Sequence, residues 1–308
     1  MPSFQNFIFE KLMKLSVKKV ATKKIRQRGL TERRKKFDEI GARLGKLPEH
    51  CRRQPIKIGE MYAEWLSFPK SDANKVILYL HGGAYEYGSA NTHRALAARI
   101  SEAAGVKVLL PEYRLAPEHP FPAAIEDGVQ VFRWLLSQGF QPADIIFAGD
   151  SAGAGLSVAT ALVLRDQSEP LPAAIICLSP WVDLTSSGDS YVKNQQEDPY
   201  LTVGAVKRAA RLYAGEEPLD HPLISPAFAD LTGLPPMLIQ SGGHEILQSD
   251  AQKLAAQARL GGVEVTLQTW VGMWHVWQIS GKFLPEARKA ISHIGQFAKR
   301  IYQSQKRK

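Results

Sequence analysis

The chain has 308 residues, of which 44% are hydrophobic and 22% charged, so it is long enough to bury a substantial core. No apolar run approaches the roughly 18 residues that a membrane-spanning helix needs, and charges such as Glu10 and Lys11 interrupt the N-terminal region, so we expect neither a span nor a cleavable signal. The chain has only two cysteines, Cys51 and Cys177, which excludes a disulfide-rich scaffold and favours a reducing, cytoplasmic setting.

The positive charge is confined to the N-terminal segment. Residues 1–50 carry 14 Lys or Arg and 5 Asp or Glu, and this excess accounts for the whole formal net charge of +9. Apolar side chains recur there at helical spacing: Phe4, Phe7, Ile8, Leu12 and Leu15. We therefore predict that residues 1–50 form a basic, amphipathic helical cap segment. The alternative is a weak contact between residues 1–20 and an anionic membrane surface. No nucleic-acid partner is expected, because no recognised binding motif accompanies the charge.

Apolar runs and helix-like stretches alternate through residues 51–308. Strand-like runs lie at 76–80, 106–110, 145–148, 174–178, 237–240 and 263–269, and helix-like stretches at 123–137, 153–166 and 251–260. This alternation predicts an α/β domain with a mostly parallel central sheet and helices on both faces. Residues 56–68 predict antiparallel strands at its edge. Residues 183–222, with a short helix at 203–213, predict a second cap inserted into this domain.

Two glycines directly follow the strand-like run at 76–80, in the order His81, Gly82, Gly83, Ala84. Glycines at that place leave backbone N–H groups uncovered, and such groups can stabilise a developing oxyanion. Gly82 and Gly83 are therefore candidate oxyanion donors, with an ordinary Gly-Gly turn as the alternative. We interpret His81 as a residue that orients this loop.

The run at 145–148 leads into Gly149-Asp150-Ser151-Ala152-Gly153, and a helical pattern follows. A Gly-x-Ser-x-Gly sequence between a strand and a helix is typical of the nucleophile elbow, a tight turn that exposes the serine hydroxyl. Ser151 is therefore a candidate nucleophile, and the N–H of Ala152 is a further candidate oxyanion donor. Because a free hydroxyl is a poor nucleophile, this interpretation requires a base elsewhere in the chain.

Four histidines follow the candidate nucleophile in the chain: His221, His244, His275 and His293. His275 lies in the loop after the last strand-like run, where a strand-to-helix connection can present a base. We predict that His275 is the general base, with a core histidine packed among aromatic residues as the alternative.

A carboxylate is required to orient that imidazole, and two candidates follow the run at 237–240. Glu245 lies in the loop directly after the run, whereas Asp250 opens the helix-like stretch at 251–260. An acidic residue at the start of a helix is also explained by capping and by the helix dipole. Glu245 is therefore the predicted acid, and Asp250 remains the alternative.

Together these motifs resemble the hormone-sensitive-lipase-like esterases and lipases, also called the Gly-Asp-x-Gly family, of the α/β-hydrolase superfamily. The matching stretches are 81–85, 113–123, 149–153 and 273–275. The resemblance implies the α/β-hydrolase fold with a helical cap. It also implies a set of site residues: Ser151 as nucleophile, His275 as base, and Gly82, Gly83 and Ala152 as oxyanion donors. Most such proteins carry Asp in the acid loop, where this chain has Glu245.

The predicted activity is that of a serine carboxylesterase that hydrolyses short- to medium-chain esters through an acyl-enzyme on Ser151, without a metal or organic cofactor. Lactone hydrolysis or acyl transfer would use the same residues, and a non-catalytic ligand-binding protein on the same fold is the competing class. Four aromatic residues are candidate walls of the substrate pocket, with core packing as the alternative: Tyr85, Trp181, Trp274 and Trp277. Similar enzymes often pair through the last strand and helix, so we also expect a homodimer.

Overall fold

An eight-stranded sheet forms the centre of the computed structural model, which describes Ser3, Gln5, Asn6 and residues 29–305. Its strands are β1 (Arg52–Ile58), β2 (Met61–Ser67), β3 (Asp72–Leu80), β4 (Val106–Pro111), β5 (Ile145–Asp150), β6 (Ala174–Leu178), β7 (Met237–Gly242) and β8 (Val265–Trp270). Their spatial order is β1-β2-β4-β3-β5-β6-β7-β8. The hairpin β1–β2 is antiparallel, as is its pairing with β4, and every later pair is parallel. The predicted α/β fold, with antiparallel strands at one edge, is confirmed.

Helices cover both faces of this sheet. They are α1 (Leu30–Leu44), α2 (Ala90–Ala104), α3 (Ala123–Ser137), α4 (Ala152–Asp166), α5 (Ser190–Lys193), α6 (Val203–Ala214), α7 (Gln248–Leu260) and α8 (Pro285–Gln305). The bounds of α3 coincide with the predicted stretch at 123–137. The sequence-based interpretation omitted α2, although its signals are local. Ser89 and Thr92 form a capping box at its start, and Gly105 ends it with a left-handed φ of 72°.

The core has two layers because alternate residues of each strand point to opposite sides of the sheet. In β3, Val76, Leu78 and Leu80 pack with α3, α4 and α7, whereas Ile77 and Tyr79 pack with α2 and α8. Both layers are buried, so the strands are packed on both faces of the sheet. The carboxyl ends of β3, β5, β7 and β8 lead into the loops that carry the candidate site residues.

The two predicted cap segments are only partly described. Most of residues 1–20, including the predicted amphipathic stripe, lies outside the described residues. Ser3 bonds to Glu286 at the start of α8, and the Asn6 amide donates to the carbonyl of Gly272 at 3.1 Å, in the loop that leads to His275. Helix α1 packs against α2. In chain order, α5 and α6 come after β6 and before β7. That these segments act as caps, and the domain limits themselves, stay predictions.

Both cysteines are free thiols. Cys177 is fully buried in β6, and burial raises the pKa of its thiol to about 12, so the thiol stays protonated. Cys51 is half-buried just before β1. Among the helices of the described residues, none combines the length and apolar character that crossing a membrane requires.

Candidate active site

Ser151 occupies a strained turn between β5 and α4. Its φ of 53° and ψ of −121° lie outside the regions that non-glycine residues favour, a conformation that costs on the order of 1–3 kcal/mol. The turn is held because the Ser151 carbonyl accepts from Trp181 at 3.0 Å and its N–H donates to Leu178 at 2.8 Å. Glycine is required at Gly153, since a Cβ there would overlap the carbonyl oxygen of Leu80 at the end of β3. The predicted elbow therefore has the geometry that lifts one hydroxyl above the sheet.

A chain of hydrogen bonds joins three buried side chains. The Ser151 Oγ lies 2.9 Å from Nε2 of His275, and Nδ1 of the same ring lies 2.8 Å from Oε2 of Glu245. Since a carboxylate only accepts, Nδ1 carries the ring proton and Nε2 is left to accept from the serine hydroxyl. The other carboxylate oxygen of Glu245 accepts from the N–H of Gly242 at 2.6 Å. The structure thus brings together the serine, histidine and glutamate singled out in the sequence.

The loops after β7 and β8 are joined to each other, which sets the positions of Glu245 and His275. The N–H of Gly243 donates to the carbonyl of Trp270 at 2.8 Å, and the N–H of His244 donates to that of Met273 at 2.9 Å. These bonds continue the parallel pairing of β7 with β8 beyond the sheet. The alternative acid, Asp250, lies in α7 and does not reach the imidazole.

Asp250 has a different set of partners. Its Oδ2 accepts from the backbone N–H groups of Val182 and Asp183, at 3.0 and 2.9 Å, so it holds the chain that leaves β6. Burial raises the pKa of Asp250 well above its usual value. Its contacts are those of a structural carboxyl group.

The structure contradicts the prediction that Gly82 donates to an oxyanion. Its N–H already donates to Oδ1 of Asp150 at 3.0 Å, in a buried position. Within residues 29–305, the N–H groups of Gly83, Ala84 and Ala152 have no such acceptor. The free N–H groups of this loop are therefore those of Gly83 and Ala84 rather than those of Gly82 and Gly83.

Asp150 anchors this loop through a buried ion pair. Its Oδ1 also accepts from the Tyr79 hydroxyl at 2.8 Å, and its Oδ2 lies 3.3 Å from Nε2 of His93. Burial acts to raise the pKa of Asp150, but the charge of His93 and the hydrogen bonds from His93, Tyr79 and Gly82 hold it below its usual value. Burial acts to lower the pKa of His93, and the charge of Asp150 outweighs it, so the pKa is raised. The residue next to Ser151 thus holds the loop of Gly82 and Gly83 after β3.

His81 lies in the same layer and is neutral. Its ring stacks between Tyr113 and His93, with centroid distances of 4.3 and 5.4 Å. Burial and the neighbouring His93 lower the pKa of His81 to about 3. Its Nδ1–H donates to the carbonyl of Gly82 at 2.9 Å. These contacts support the interpretation of His81 as a residue that orients the loop.

We expect His93→Gln to lose more stability at about pH 5.5 than at about pH 9. The charged imidazole pairs with Asp150, and a raised folded-state pKa means that this stabilisation is complete below the unfolded value of 6.5 and is lost as the pH rises through the folded-state pKa. Thermal unfolding of both proteins at the two pH values measures the difference. An equal loss at both would contradict a charged pair.

Comparisons with known proteins agree with this geometry. A family model described as the alpha/beta hydrolase fold matches residues 77–279. An acetyl-hydrolase from Streptomyces hygroscopicus is 46% identical over 243 residues, which cover 79% of this chain and 81% of that protein. The crystal structure of an esterase from the bacterial hormone-sensitive lipase family is 39% identical, with a TM-score of 0.92 and coverage of 98% of this chain and 99% of that one. The chain belongs to the α/β-hydrolase family.

A further solved structure is similar to the hydrolase over almost its whole length. It is that of EstE5 soaked with p-nitrophenyl butyrate, which is 40% identical with a TM-score of 0.91 and covers 98% of this chain and 99% of its own. The predicted resemblance to hormone-sensitive-lipase-like esterases is therefore confirmed for the family and the fold.

The four candidate pocket aromatics separate into two groups in the hydrolase. Tyr85 stacks on Tyr213 of α6, with ring centroids 3.5 Å apart, and lies 6.2 Å from Trp181. These three rings belong to the core layer that includes the start of α4. Trp274 and Trp277 instead belong to a separate buried cluster against the start of α8. The aromatic pair Tyr85 and Trp181 therefore lies in the layer that adjoins Ser151, and the other two tryptophans lie outside that layer.

Several residues near the site were not singled out in the sequence. Ala84 was signalled by its place after His-Gly-Gly, but which N–H groups are free depends on Asp150. Asn194, Asp198 and Tyr200 lie in the segment between β6 and β7 and contact the loops of Glu245 and His275. No local pattern distinguishes these three from ordinary loop residues.

Proposed function

We propose that this hydrolase is a serine carboxylesterase that forms an acyl-enzyme on Ser151. The observation that carries the proposal is the hydrogen-bond chain from Ser151 through His275 to Glu245, at 2.9 and 2.8 Å, at the start of α4. The family, with its esterases and acetyl-hydrolase, supports the same class of reaction. Each of the three residues has one role: nucleophile, general base and orienting acid.

The reaction begins when Nε2 of His275 takes the hydroxyl proton and Oγ of Ser151 attacks the ester carbonyl carbon. Collapse of the tetrahedral intermediate breaks the bond to the alcohol oxygen, which leaves with the proton from Nε2. Water then gives a proton to the same nitrogen and attacks the acyl carbon. Collapse of this second intermediate breaks the bond to Oγ of Ser151, which takes the proton back from Nε2 as the carboxylic acid leaves. Glu245 keeps the proton on Nδ1 and stabilises the imidazolium that forms in each step.

The oxyanion is held by the N–H groups of Gly83, Ala84 and Ala152. These groups face no protein acceptor within the described part of the chain, whereas that of Gly82 is engaged by Asp150. Each donor of this kind is typically worth about 3 kcal/mol of transition-state stabilisation. Asp150 does not contact the oxyanion. It holds the loop that presents the N–H groups of Gly83 and Ala84.

The acyl group is short to medium in length. The stacked rings of Tyr85 and Tyr213 and the buried indole of Trp181 fill the layer beside the start of α4. A Cβ at Gly155, one turn beyond the serine, would overlap the carbonyl oxygen of Trp181, so this side has little free space. A relative named acetyl-hydrolase and a structure soaked with p-nitrophenyl butyrate support the same range.

Two measurements test this function together. A fluorophosphonate probe should label the wild-type hydrolase at Ser151, since the probe reacts with activated serines and not with a binding protein on the same fold. The rate over p-nitrophenyl acetate, butyrate, hexanoate and decanoate should fall at least about tenfold from butyrate to decanoate. Absence of labelling would contradict the nucleophile, and an undiminished rate on decanoate would contradict the proposed acyl length alone.

The localisation, the oligomeric state and the membrane contact of the hydrolase are also proposals. We infer cytoplasmic action from the two free thiols. A homodimer is supported by β8, which forms one edge of the sheet, and by Val271 directly after it, whose side chain is exposed. A weak membrane contact of residues 1–20 rests on their charge and apolar spacing alone.

A further inference from the structure

The inserted segment, residues 183–222 between β6 and β7, lies directly against the loop that carries Glu245. Ser190, in α5, donates its hydroxyl to the carbonyl of Ile246 and accepts from the N–H of Ser249 at 3.0 Å. The amide of Asn194 donates to the carbonyl oxygens of Gly243 and Glu245, at 3.2 and 2.9 Å. The inserted segment therefore contacts the acid loop, the chain from Gly243 to Ser249, at four positions.

The side chains of Asn194 and Asp198 hold the two ends of one peptide group. The amide of Asn194 binds the carbonyl of Glu245, and Oδ2 of Asp198 accepts from the N–H of Ile246 at 2.9 Å. That carbonyl and that N–H belong to the same peptide unit, directly after the Cα of Glu245. Asn194 and Asp198 are themselves linked, since the N–H of Asp198 donates to the Asn194 carbonyl at 2.8 Å.

Asp198 also organises the chain over His275. Its Oδ1 accepts from the N–H groups of Tyr200 and Leu201, at 2.8 and 2.9 Å. The Tyr200 ring lies over the imidazole of His275, with centroids 6.1 Å apart and planes inclined by 27°. Asp198 is itself buried. Burial raises its pKa, and the neighbouring imidazole and the three N–H donors oppose that rise.

We propose that Asp198, supported by Asn194, is a positioning residue that fixes Glu245 and Tyr200 around His275 from the inserted segment. The inference rests on the proposed function, because it assigns a role relative to that catalytic group. It means that the inserted segment between β6 and β7 helps to position the catalytic side chains. Movement of this segment would displace the acid and so change turnover without any change in the serine.

A carboxylate is required at this position by its hydrogen-bond partners. Asp198 accepts from three N–H groups with two oxygens, and it has no donor to satisfy. In Asp198→Asn, the side-chain NH₂ group faces either Ile246 or the pair Tyr200 and Leu201, so two donors oppose each other. The contact with the Glu245–Ile246 peptide or the contact with the Tyr200 loop is then lost.

The test compares Asp198→Asn with Asp189→Asn on p-nitrophenyl butyrate. Asp189 lies in the same segment and carries the same charge, but its side chain is exposed and pairs with Lys193. For Asp198→Asn we expect kcat to fall about 10- to 100-fold with little change in KM, because the acid is misplaced while the binding surface is kept. Asp189→Asn should stay within about twofold of the wild type.

The separation of kcat from KM is the readout that a purely structural role would not move. Binding of the ester depends on the pocket surface, which neither variant changes, whereas turnover depends on where Glu245 holds the imidazole. Asp189→Asn should leave both constants near those of the wild type.

Two results would overturn the inference. The first is a wild-type kcat in a folded Asp198→Asn. If Asp198→Asn does not fold, Asn194→Ala is measured instead, and it should lower kcat about 3- to 10-fold, since one end of the peptide is released. Wild-type turnover in that variant would likewise overturn the inference. Failure of the proposed function is distinguishable, because the wild-type hydrolase would then not be labelled by the fluorophosphonate probe.

Discussion

Ser151→Ala is expected to lower kcat on p-nitrophenyl butyrate by at least about 10⁴-fold. The variant lacks the oxygen that attacks the ester, and the acyl-enzyme cannot form. What remains is binding and the oxyanion donors, which by themselves give slow hydrolysis. Steady-state rates and loss of fluorophosphonate labelling measure the effect. Activity near that of the wild type would refute the nucleophile.

Two further serine variants, Ser157→Ala and Ser151→Gly, serve as a control for activity and as a test of strain in the turn. Ser157→Ala removes a buried hydroxyl on the same helix, where it bonds to the Gly153 carbonyl, and should keep activity within about threefold. Ser151→Gly should be as inactive as Ser151→Ala but about 1 kcal/mol more stable, because glycine adopts the positive φ of this position without strain. Equal stability of the two would contradict a strained elbow.

Glu245→Gln is expected to reduce kcat about 10³- to 10⁴-fold, the second largest effect. Both carboxylate oxygens accept, one from Nδ1 of His275 at 2.8 Å and one from the N–H of Gly242 at 2.6 Å. A glutamine side chain satisfies only one of them. If its NH₂ faces the imidazole, the ring takes the wrong tautomer and Nε2 cannot accept the serine proton. The measurement is kcat with KM, together with the melting temperature.

Asp250→Asn is the matched comparison for the acid. Its carboxyl group bonds to backbone N–H groups of Val182 and Asp183 and does not reach His275. We therefore expect kcat within about threefold of the wild type, with any loss falling on stability. The reverse ranking, in which Asp250→Asn is inactive and Glu245→Gln active, would transfer the acid role to Asp250.

Most of the fold could be predicted from local patterns. The limits of α3 and the alternation of strands and helices along the chain follow from the period of apolar residues, which each segment carries independently of its neighbours. Three strand starts were wrong. β1 and β3 begin at Arg52 and Asp72, four residues before the predicted 56 and 76. β8 begins at Val265 rather than 263, because the N–H of Val263 closes the end of α7 on Ala258. Helix α2 was missed although its caps are in the sequence.

Some features of the candidate site were also predictable from nearby residues, whereas others depend on contacts between distant parts of the chain. The sequence by itself determined the turn at Ser151 and the loops in which Glu245 and His275 lie, because small residues and strand ends are marked within a few positions. Tertiary structure alone decided that Gly82 is engaged by Asp150, 68 residues away, and that Glu245 and not Asp250 meets the imidazole. It also brought Asn194 and Asp198 to the acid loop. These contacts depend on how elements distant in the chain pack together, and no spacing of residues within one segment specifies that packing.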